Sequence, residues 1–588
     1  MFWQSNLAPE TDLNELLKRD NVDIWDILAH PNAVQHAHFM PDELFDYFSN
    51  QIRAEKLVKA CVSIPPNNRF RLCRVAADIL TTPTCKVAEI VLKNSHCLKV
   101  ITTFLKDSIS PNSFLVAQAT RVLLYLATYR NIELCSRLKM ISAICSSSFS
   151  QLEYFPVADM IATIIIDFGI ECKDKGVADE MFQWFEEEDF IGAILSLFKV
   201  TASELLLQNI TFFFGKIYAA IENCVAVLES DYVTNRLIEY LISAPFAQHI
   251  MDKIVQLEPT CFDHDVSKIC FLNACKILIC LVQANQKIGH MYISAKLLGA
   301  AGPIEALHPY LNNNCEEMIA RKISIFINIL FRSLENVCIA NKKNQNREMQ
   351  SVVLKLIGSL LYSHSLLVHH MLNKGRLVEA LLNLMENYTL DWMIMVNSCQ
   401  LMSCIVSEKP ICKNFFKTPT ATTFSLLLKS LLSNDKLFRF IERQIQKIDE
   451  YKQNFKIHFS PLQSLLLLAH TINEFFKANY SEPLRGSGIF SNLSTVCTSE
   501  WLRNLDNKLS NYCKSSEFDT DSVLGNVVTN LSNLETGDSS DDFDFTEFDA
   551  FPEESDTNNG KKSDPWPKTV PFKIDPNNSS DDDWTDYY

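Results

Sequence analysis

The sequence predicts an all-α protein built as an α-solenoid, in which pairs of helices stack along the chain. Apolar residues recur at helical rather than strand spacing through most of the first 515 positions of the 588-residue chain. Its 14 glycines fall well below the usual share of roughly 7%, which argues against a turn-rich β protein and against glycine-rich phosphate loops. Hydrophobic residues make up 47% of the sequence, enough to bury an extended core.

Charge divides the chain into two parts. The net charge is −16, and the segment from Glu517 to Tyr588 contains 19 acidic and 4 basic residues, a net of −15. Such a composition cannot bury enough apolar surface to offset the entropy of ordering. We therefore predict a helical-repeat domain over residues 1–515 and a disordered acidic tail over residues 516–588. The nearly neutral domain and the acidic tail argue against nucleic-acid binding.

Local signals place the first helices in order. Asp12 and Glu15 have the spacing of a capping box, which predicts a helix beginning at Leu13. Pro41 and the two acidic residues after it suit the first turn of a helix, because proline lacks only a backbone donor that is unpaired there. A later stripe at helical spacing predicts a helix with one buried face, formed by Val116, Ala119, Leu123 and Leu126.

Segments further along the chain extend the pattern. Residues 269–282 are apolar nearly all round, so we expect this helix to lie between other helices. The polar run from Asn341 to Arg347 is predicted to be a loop, and residues 501–509 to be a last amphipathic helix. A second apolar stripe consists of Leu377, Leu381, Leu384 and Met385. Helices of about 10–20 residues with short connections and no fixed-period consensus are typical of degenerate HEAT-like or armadillo-like repeats.

The sequence contains no catalytic signature. Motifs such as G-x-x-x-x-G-K-[ST], G-x-G-x-x-G, G-x-S-x-G and H-E-x-x-H are absent. His364, His369 and His370 lack the spacing of a metal-binding pair next to a carboxylate, and we expect them to be solvated residues at a helix end. The acidic run from Glu186 to Asp189 is interpreted as a solvated face or a helix cap rather than a pair of catalytic carboxylates. We therefore expect no enzyme activity, no cofactor and no bound metal.

Targeting and cysteine patterns indicate a compartment. The opening residues do not have the pattern of a secretory leader, and no run of about 20 apolar residues suggests a membrane span. The cysteines are therefore expected to be thiols in a reducing compartment, the cytoplasm first, with the nucleus also open. Four cysteines recur every 12 residues, which is about 3.3 helical turns, so neighbours in the series would not share a helix face. We therefore expect them to be buried apolar side chains rather than a metal site: Cys61, Cys73, Cys85 and Cys97.

Several segments match a known family in the expected order from the first methionine. The best match is Phe-Gln-Trp-Phe-Glu-Glu-Glu-Asp-Phe-Ile at residues 182–191, against a Gln-Trp-Leu-x-Glu-Glu-x-Leu-Ile pattern. The others are residues 1–3, 13–17, 20–28, 44–48, 57–58, 74–80, 271–275 and 501–509. In these segments the chain resembles the SAPS-domain family, the regulatory subunits of type-2A-like serine/threonine phosphatases, known in animals as protein phosphatase 6 regulatory subunits. In the second half of the chain, residues 347–353, 388–392 and 458–462 stand where the family usually has three other sequence segments, which indicates a divergent member.

The resemblance implies a function. Such a protein would bind a type-2A-like phosphatase catalytic subunit and direct it to substrates, supplying no catalytic residue itself. By family analogy, contacts with the catalytic subunit are expected on helix faces at Gln183, Glu186 and Glu187, whereas Trp184 and Phe185 are expected in the core. An unrelated helical-repeat protein is the alternative; it would share the leucine periodicity but not the ordered segments.

The predicted tail carries short linear elements. Aromatic residues between acidic ones can dock into a groove of a partner, and the three candidates are Phe545, Phe548 and Phe551. Asp564 and Trp566 belong to an Asp-Pro-Trp element of the kind found in trafficking adaptors, so a trafficking adaptor with a coat-binding tail is the alternative function. Three serines have an acidic residue three positions on, which suits an acidophilic kinase: Ser539, Ser579 and Ser580. A tail that only aids solubility also stays open.

Overall fold

The computed structural model describes most of the first 454 residues and little of the chain beyond them. The described residues are 13–19, 22–39, 41–107, 111–129, 134–172, 174–187, 189–199, 201–226, 235–262, 264–297, 315–335, 340–363, 365–387, 392–406, 427–428, 430–454, 465, 468–472, 504 and 507. The chain divides into a compact unit, Met1–Val527, and a second unit, Val528–Tyr588. The predicted tail lies outside the described residues, and the domain boundary near residue 515 stays a prediction.

Within the described ranges, every regular element is a helix. The α-helices are α1 Leu13–Leu17, α2 Ile24–Ala29, α3 Ala33–Phe39, α4 Pro41–Phe48, α5 Gln51–Val62, α6 Arg71–Leu80, α7 Val87–Lys93, α8 Ser95–Asp107, α9 Ser113–Thr128, α10 Leu134–Ser148, α11 Phe155–Ile165, α12 Lys175–Glu187, α13 Phe190–Ser196, α14 Glu204–Ala226, α15 Arg236–Leu241, α16 Ala244–Leu257, α17 Asp265–Leu297, α18 Cys315–Ala320, α19 Ile323–Glu335, α20 Ala340–Leu361, α21 Leu366–Lys374, α22 Leu377–Asn387, α23 Trp392–Val406 and α24 Asp435–Asn454. Short 3-10 turns occur at Pro66–Asn68, Phe149–Gln151 and Glu258–Thr260, and a π-turn at Ile166–Ile170.

Most of the helices described in the compact unit pack in two rows. In the first row each helix contacts the next, in the order α3, α6, α9, α11, α14, α17, α20 and α23. The second row contains α5, α8, α10, α12, α15, α16, α18 and α21, again with each helix against the next. Pairs such as α5 with α6 and α16 with α17 join the rows. Stacked helix pairs of this kind are the architecture of an α-solenoid, which confirms the predicted fold class.

Individual helices begin and pack as the sequence signals indicate. Pro41 is the first residue of α4, and the Oδ1 atoms of Asn50 and Asn112 accept backbone N–H groups at the starts of α5 and α9. The predicted stripe of α9 is fully buried at all four positions, Val116, Ala119, Leu123 and Leu126. Residues 269–282 lie inside the 33-residue helix α17, which contacts α14, α16 and α20. No helix in the described ranges is long and apolar enough to cross a membrane.

Two expectations were wrong. The run from Asn341 to Arg347 lies within α20 and is not a loop. It contains no glycine or proline, and its lysines, glutamine and arginine have good helix propensity. His369 is not solvated: it is 7% exposed, and its Nε2 atom lies 2.8 Å from the Ser363 carbonyl oxygen. His364 lies outside the described residues.

The four cysteines spaced by 12 residues are buried, as expected. Burial raises the pKa of the Cys73 thiol to about 12 and that of the Cys85 and Cys97 thiols to about 11, and it raises the pKa of Cys61 as well. All four are free thiols. A thiol held in its neutral form is a poor nucleophile and metal ligand, so these residues act as core side chains.

Candidate functional site

The three predicted partner contacts lie together at the end of α12. Gln183, Glu186 and Glu187 are all exposed, and the Nε2 atom of Gln183 donates to Glu187 Oε1 at 2.7 Å, one helical turn away. Met181 and Phe185, on the other side of the same helix, are 1% and 4% exposed. Because the apolar side of α12 is buried, its polar side faces solvent. The structure thus places the candidates on one accessible surface.

A residue of the next helix in the second row completes this surface. The Nη2 atom of Arg236, at the start of α15, lies 3.8 Å from Glu186 Oε2. The Arg236 guanidinium also lies over the Phe182 ring, 4.4 Å from its centroid. An exposed ion pair of this kind contributes only about 0–1 kcal/mol. Arg236 and Glu186 can therefore give up this ion pair and contact a partner instead at little cost in free energy. We call Gln183, Glu186, Glu187 and Arg236 the α12–α15 surface.

Aromatic packing holds the end of α12 in place. The rings of Trp184, Phe185 and Phe190 contact one another, with centroid separations of 4.9 to 5.2 Å. Phe185 and Phe190 are buried and Trp184 is partly buried, with its indole N–H shielded from solvent. Such edge-on ring contacts add specific geometry to apolar burial. Trp184 and Phe185 therefore support the surface from beneath.

Asn235 fixes the position of Arg236, and sequence reasoning missed it. Its Oδ1 atom accepts from the backbone N–H groups of Leu237 at 2.9 Å and Ile238 at 3.2 Å, which caps α15. Its Nδ2 atom donates to the Gly169 carbonyl oxygen at 2.6 Å, which ties α15 to the π-turn. An asparagine directly before an apolar helical segment is a recognised N-cap signal that could have identified it.

The described residues of the acidic run after Phe185 are all exposed to solvent. Glu186 and Glu187 face solvent, and Asp189 occupies the position before α13 with a left-handed φ of 43°. Glu188 lies outside the described residues. In the described part of the chain there is also no group of three or more residues able to hold a metal ion. The groups exposed at the α12–α15 surface can form hydrogen bonds and ion pairs with another molecule.

A second, partly buried polar cluster lies between α17, α18 and the end of α20. The pKa of Glu316 is raised to about 7, mainly because burial disfavours its charged form. Hydrogen bonds from Ser363 and Gln286 lower it, and the nearby Glu317 carboxylate adds a smaller rise. The Ser363 hydroxyl donates to Glu316 Oε2. Ser365 donates from Oγ to Glu317 Oε1 at 2.6 Å. These contacts join α18 to the turn that follows α20, so the cluster connects two neighbouring repeats.

The remaining predicted residues lie outside the described residues. They are the docking candidates Phe545, Phe548, Phe551, Asp564 and Trp566 and the phosphorylation candidates Ser539, Ser579 and Ser580. Their roles stay predictions.

Comparisons with known proteins point to the same segment. Residues 138–348 match the sequence profile of the family described as SIT4 phosphatase-associated protein, or SAPS. This segment contains the whole α12–α15 surface. The family match confirms the resemblance to SAPS proteins, whose best-matching segment is residues 182–191.

Curated relatives carry matching names at low identity. The chain is 18% identical over 201 residues to serine/threonine-protein phosphatase 6 regulatory subunit 1 of Mus musculus, covering 33% of this chain and 23% of the relative. It is 18% identical over 400 residues to regulatory subunit 3 of Gallus gallus, covering 66% of this chain and 44% of the relative. The matches thus span less than half of the relatives' length. A solved structure from a study of cadherin and β-catenin covers 90% of this chain at 14% identity, but its TM-score of 0.26 supports no argument.

Proposed function

We propose that this protein is a non-catalytic regulatory subunit that binds a type-2A-like serine/threonine phosphatase catalytic subunit and directs it to substrates. The observation that carries the proposal is the SAPS match over residues 138–348, together with relatives named as phosphatase 6 regulatory subunits. The helical rows suit this role, because a solenoid presents long surfaces to other proteins. We propose the cytoplasm as the place of action.

The α12–α15 surface is our proposed contact with the catalytic subunit. It lies inside the matched segment, its polar groups are exposed, and a packed aromatic cluster beneath it keeps the helix end rigid. Side chains held by a packed support lose little freedom on binding, which favours affinity. Acidic Glu186 and Glu187 next to Arg236 offer both signs of charge, so a partner must match the pattern rather than one charge alone.

Capture from cells tests the function. The full-length tagged chain would be isolated, its partners identified by mass spectrometry, and the eluate tested for dephosphorylation of a phosphopeptide. We expect a type-2A-like catalytic subunit and phosphatase activity in the eluate. Recovery of stable partners without any phosphatase would contradict the proposed function. If coat components were recovered instead, and lost in Trp566→Ala, the trafficking-adaptor alternative would replace it.

A charge-reversal pair tests the surface separately. Glu186→Lys combined with Glu187→Lys should reduce recovery of the catalytic subunit. The matched control combines Glu204→Lys with Asp252→Lys, because both residues are exposed acids that accept a hydrogen bond from a glutamine one turn away. We expect the control to keep normal recovery. Normal recovery with both pairs would leave the function in place and remove the α12–α15 surface from it.

A further inference from the structure

Partly exposed aromatic residues lie at two junctions of the first helix row. The rings of Phe70, just before α6, and Phe114, in the first turn of α9, have centroids 5.9 Å apart. The rings of Phe155, the first residue of α11, and Phe212 of α14 have centroids 4.7 Å apart. Phe155 is 50% exposed and Phe212 is 36% exposed. An exposed pair of rings such as Phe155 and Phe212 offers apolar area on which a side chain of another molecule can pack.

The amino-terminal ends of the middle two helices are tied together. The Tyr154 hydroxyl, just before α11, donates to the Pro111 carbonyl oxygen, just before α9, at 2.8 Å. The α6–α9 and α11–α14 ring pairs therefore belong to four consecutive helices of one row, with α9 packed against α11. At a usual spacing of about 9 Å between helix axes, the three intervals from α6 to α14 span about 27 Å. An extended peptide covers that length in about eight residues.

The first two of these helices, α6 and α9, carry three arginines and one carboxylate. Asp78 of α6 forms two ion pairs. Its Oδ1 atom lies 2.5 Å from Nη1 of Arg121 on α9, and its Oδ2 atom lies 4.0 Å from Nε of Arg74. Arg71 lies one turn before Arg74 on the same helix and is also exposed. Two guanidinium groups thus share one carboxylate, and a third arginine lies one turn away on α6. Each guanidinium has five N–H donors, most of which stay available here. Additional carboxylates from a partner would relieve the repulsion among the arginines.

The position of Asp78 favours spaced carboxylates over a phosphate group. Its two oxygens face Arg121 and Arg74, so it occupies the point where these guanidiniums converge. A doubly charged phosphate would have to enter next to that carboxylate and would be repelled by it. Single carboxylates along a peptide can instead bind the outward donors of Arg71, Arg74 and Arg121 one at a time.

We propose that α6, α9, α11 and α14 bind an extended acidic segment of a partner protein. Its carboxylates contact Arg71, Arg74 and Arg121, and an aromatic or large aliphatic side chain packs on Phe155 and Phe212. This surface belongs to the first row, whereas the α12–α15 surface belongs to the second. The arginines lie outside residues 138–348. The proposal therefore goes beyond the phosphatase contact and does not depend on it.

A labelled peptide tests the proposal on the full-length chain. The probe is a fluorescein-labelled ten-residue peptide with four glutamates at one end and phenylalanine and leucine at the other, followed by fluorescence anisotropy at low and high salt. We expect saturable binding that weakens with salt. Arg71→Gln combined with Arg74→Gln should weaken binding about fivefold, as expected for two exposed charge pairs. Phe155→Ser should weaken binding of the same probe but not of a version with serine in place of phenylalanine and leucine.

Matched controls separate this surface from general charge and apolar effects. Arg321→Gln combined with Lys322→Gln removes the same charge from exposed positions between α18 and α19, and Phe39→Ser removes a ring that is 83% exposed on α3. Both controls should bind the probe as the unchanged chain does. Absence of binding, or equal weakening by variants and controls, would overturn the proposal. Tighter, arginine-dependent binding of a peptide with phosphoserine in place of two glutamates would overturn the choice of carboxylate ligands.

Discussion

Raising the pH is expected to loosen one region of the solenoid through a single carboxyl group. Glu316 lies between α17, α18 and α20, where burial raises its pKa to about 7. Near pH 5.5 this carboxyl group is protonated and neutral in the folded chain. Near pH 8 it must carry a charge in a poorly solvated position. The perturbation is therefore a change from about pH 5.5 to about pH 8, compared between the unchanged chain and Glu316→Gln.

The sign follows from proton binding in the two states. An unfolded glutamate has a pKa near 4.5, so between that value and about 7 the folded chain holds a proton that the unfolded chain has released. Stability from this group is fully present below the unfolded pKa and is lost as the pH rises through the folded pKa. Each pKa unit is equivalent to about 1.4 kcal/mol, and about 1.5 units separate pH 5.5 from the folded pKa. Partial exposure of the side chain reduces the resulting loss to about 1–2 kcal/mol.

Hydrogen exchange measured by mass spectrometry can detect this loss locally, which suits a repeat protein that need not unfold in one step. After correction for the intrinsic effect of pH on exchange, peptides from α18 and from the turn at Ser363 should lose protection by about 5- to 30-fold between the two pH values. In Glu316→Gln the amide imitates the neutral acid, so we expect protection to stay nearly constant. Peptides from α9 serve as the internal reference.

Glu317→Gln is the matched control variant. Glu317 adjoins Glu316 and accepts from Ser365 at 2.6 Å. Removing its charge should lower the pKa of Glu316 slightly and leave most of the pH response in place. The reasoning would fail if Glu316→Gln lost protection with pH as strongly as the unchanged chain. It would also fail if the unchanged chain gained protection at the higher pH.

Three other substitutions separate buried hydrogen bonds from an exposed charge. Asn235→Ala removes the cap of α15 and the donor to the Gly169 carbonyl, so we expect a loss of about 2–3 kcal/mol and a lower thermal midpoint. Tyr218→Phe removes a hydroxyl that donates to the buried Leu241 carbonyl at 2.8 Å, and the same melting experiment should show a loss of about 1–2 kcal/mol. Arg236→Ala should cost less than about 1 kcal/mol while reducing capture of the catalytic subunit; a large drop in midpoint would contradict its assignment to the surface.

Local sequence signals predicted the helices well because their causes are local. The stripe of α9 and the apolar face of α22 follow from helical spacing, and Pro41 marks the start of α4. The same signals fail at the start of α20, where the polar run predicts a loop but forms a helix, because no residue in it breaks a helix. They also failed at His369, whose burial depends on neighbouring helices rather than on its own segment.

The candidate site was only partly predictable for a related reason. Gln183, Glu186 and Glu187 share one helix and one motif, so the sequence could group them. Arg236, which completes the surface, comes from another helix of the same row. Nothing in the sequence around Glu186 indicates that pairing. Similarly, Arg121 and Asp78 are 43 residues apart and meet only because α6 and α9 stack.

Composite surfaces of this kind follow from the architecture. Each helix in a row has neighbours on two sides and the other row beneath it, so only a narrow stripe of its residues faces solvent. Any surface wide enough for a partner must then combine stripes from adjacent helices, and its geometry depends on how those helices pack. Contacts between helices fix the register of neighbouring stripes, as where the partly buried Thr211 Oγ1 donates to Asn273 Oδ1 at 3.0 Å between α14 and α17. The shape of any such surface therefore depends on buried packing as much as on the exposed residues themselves.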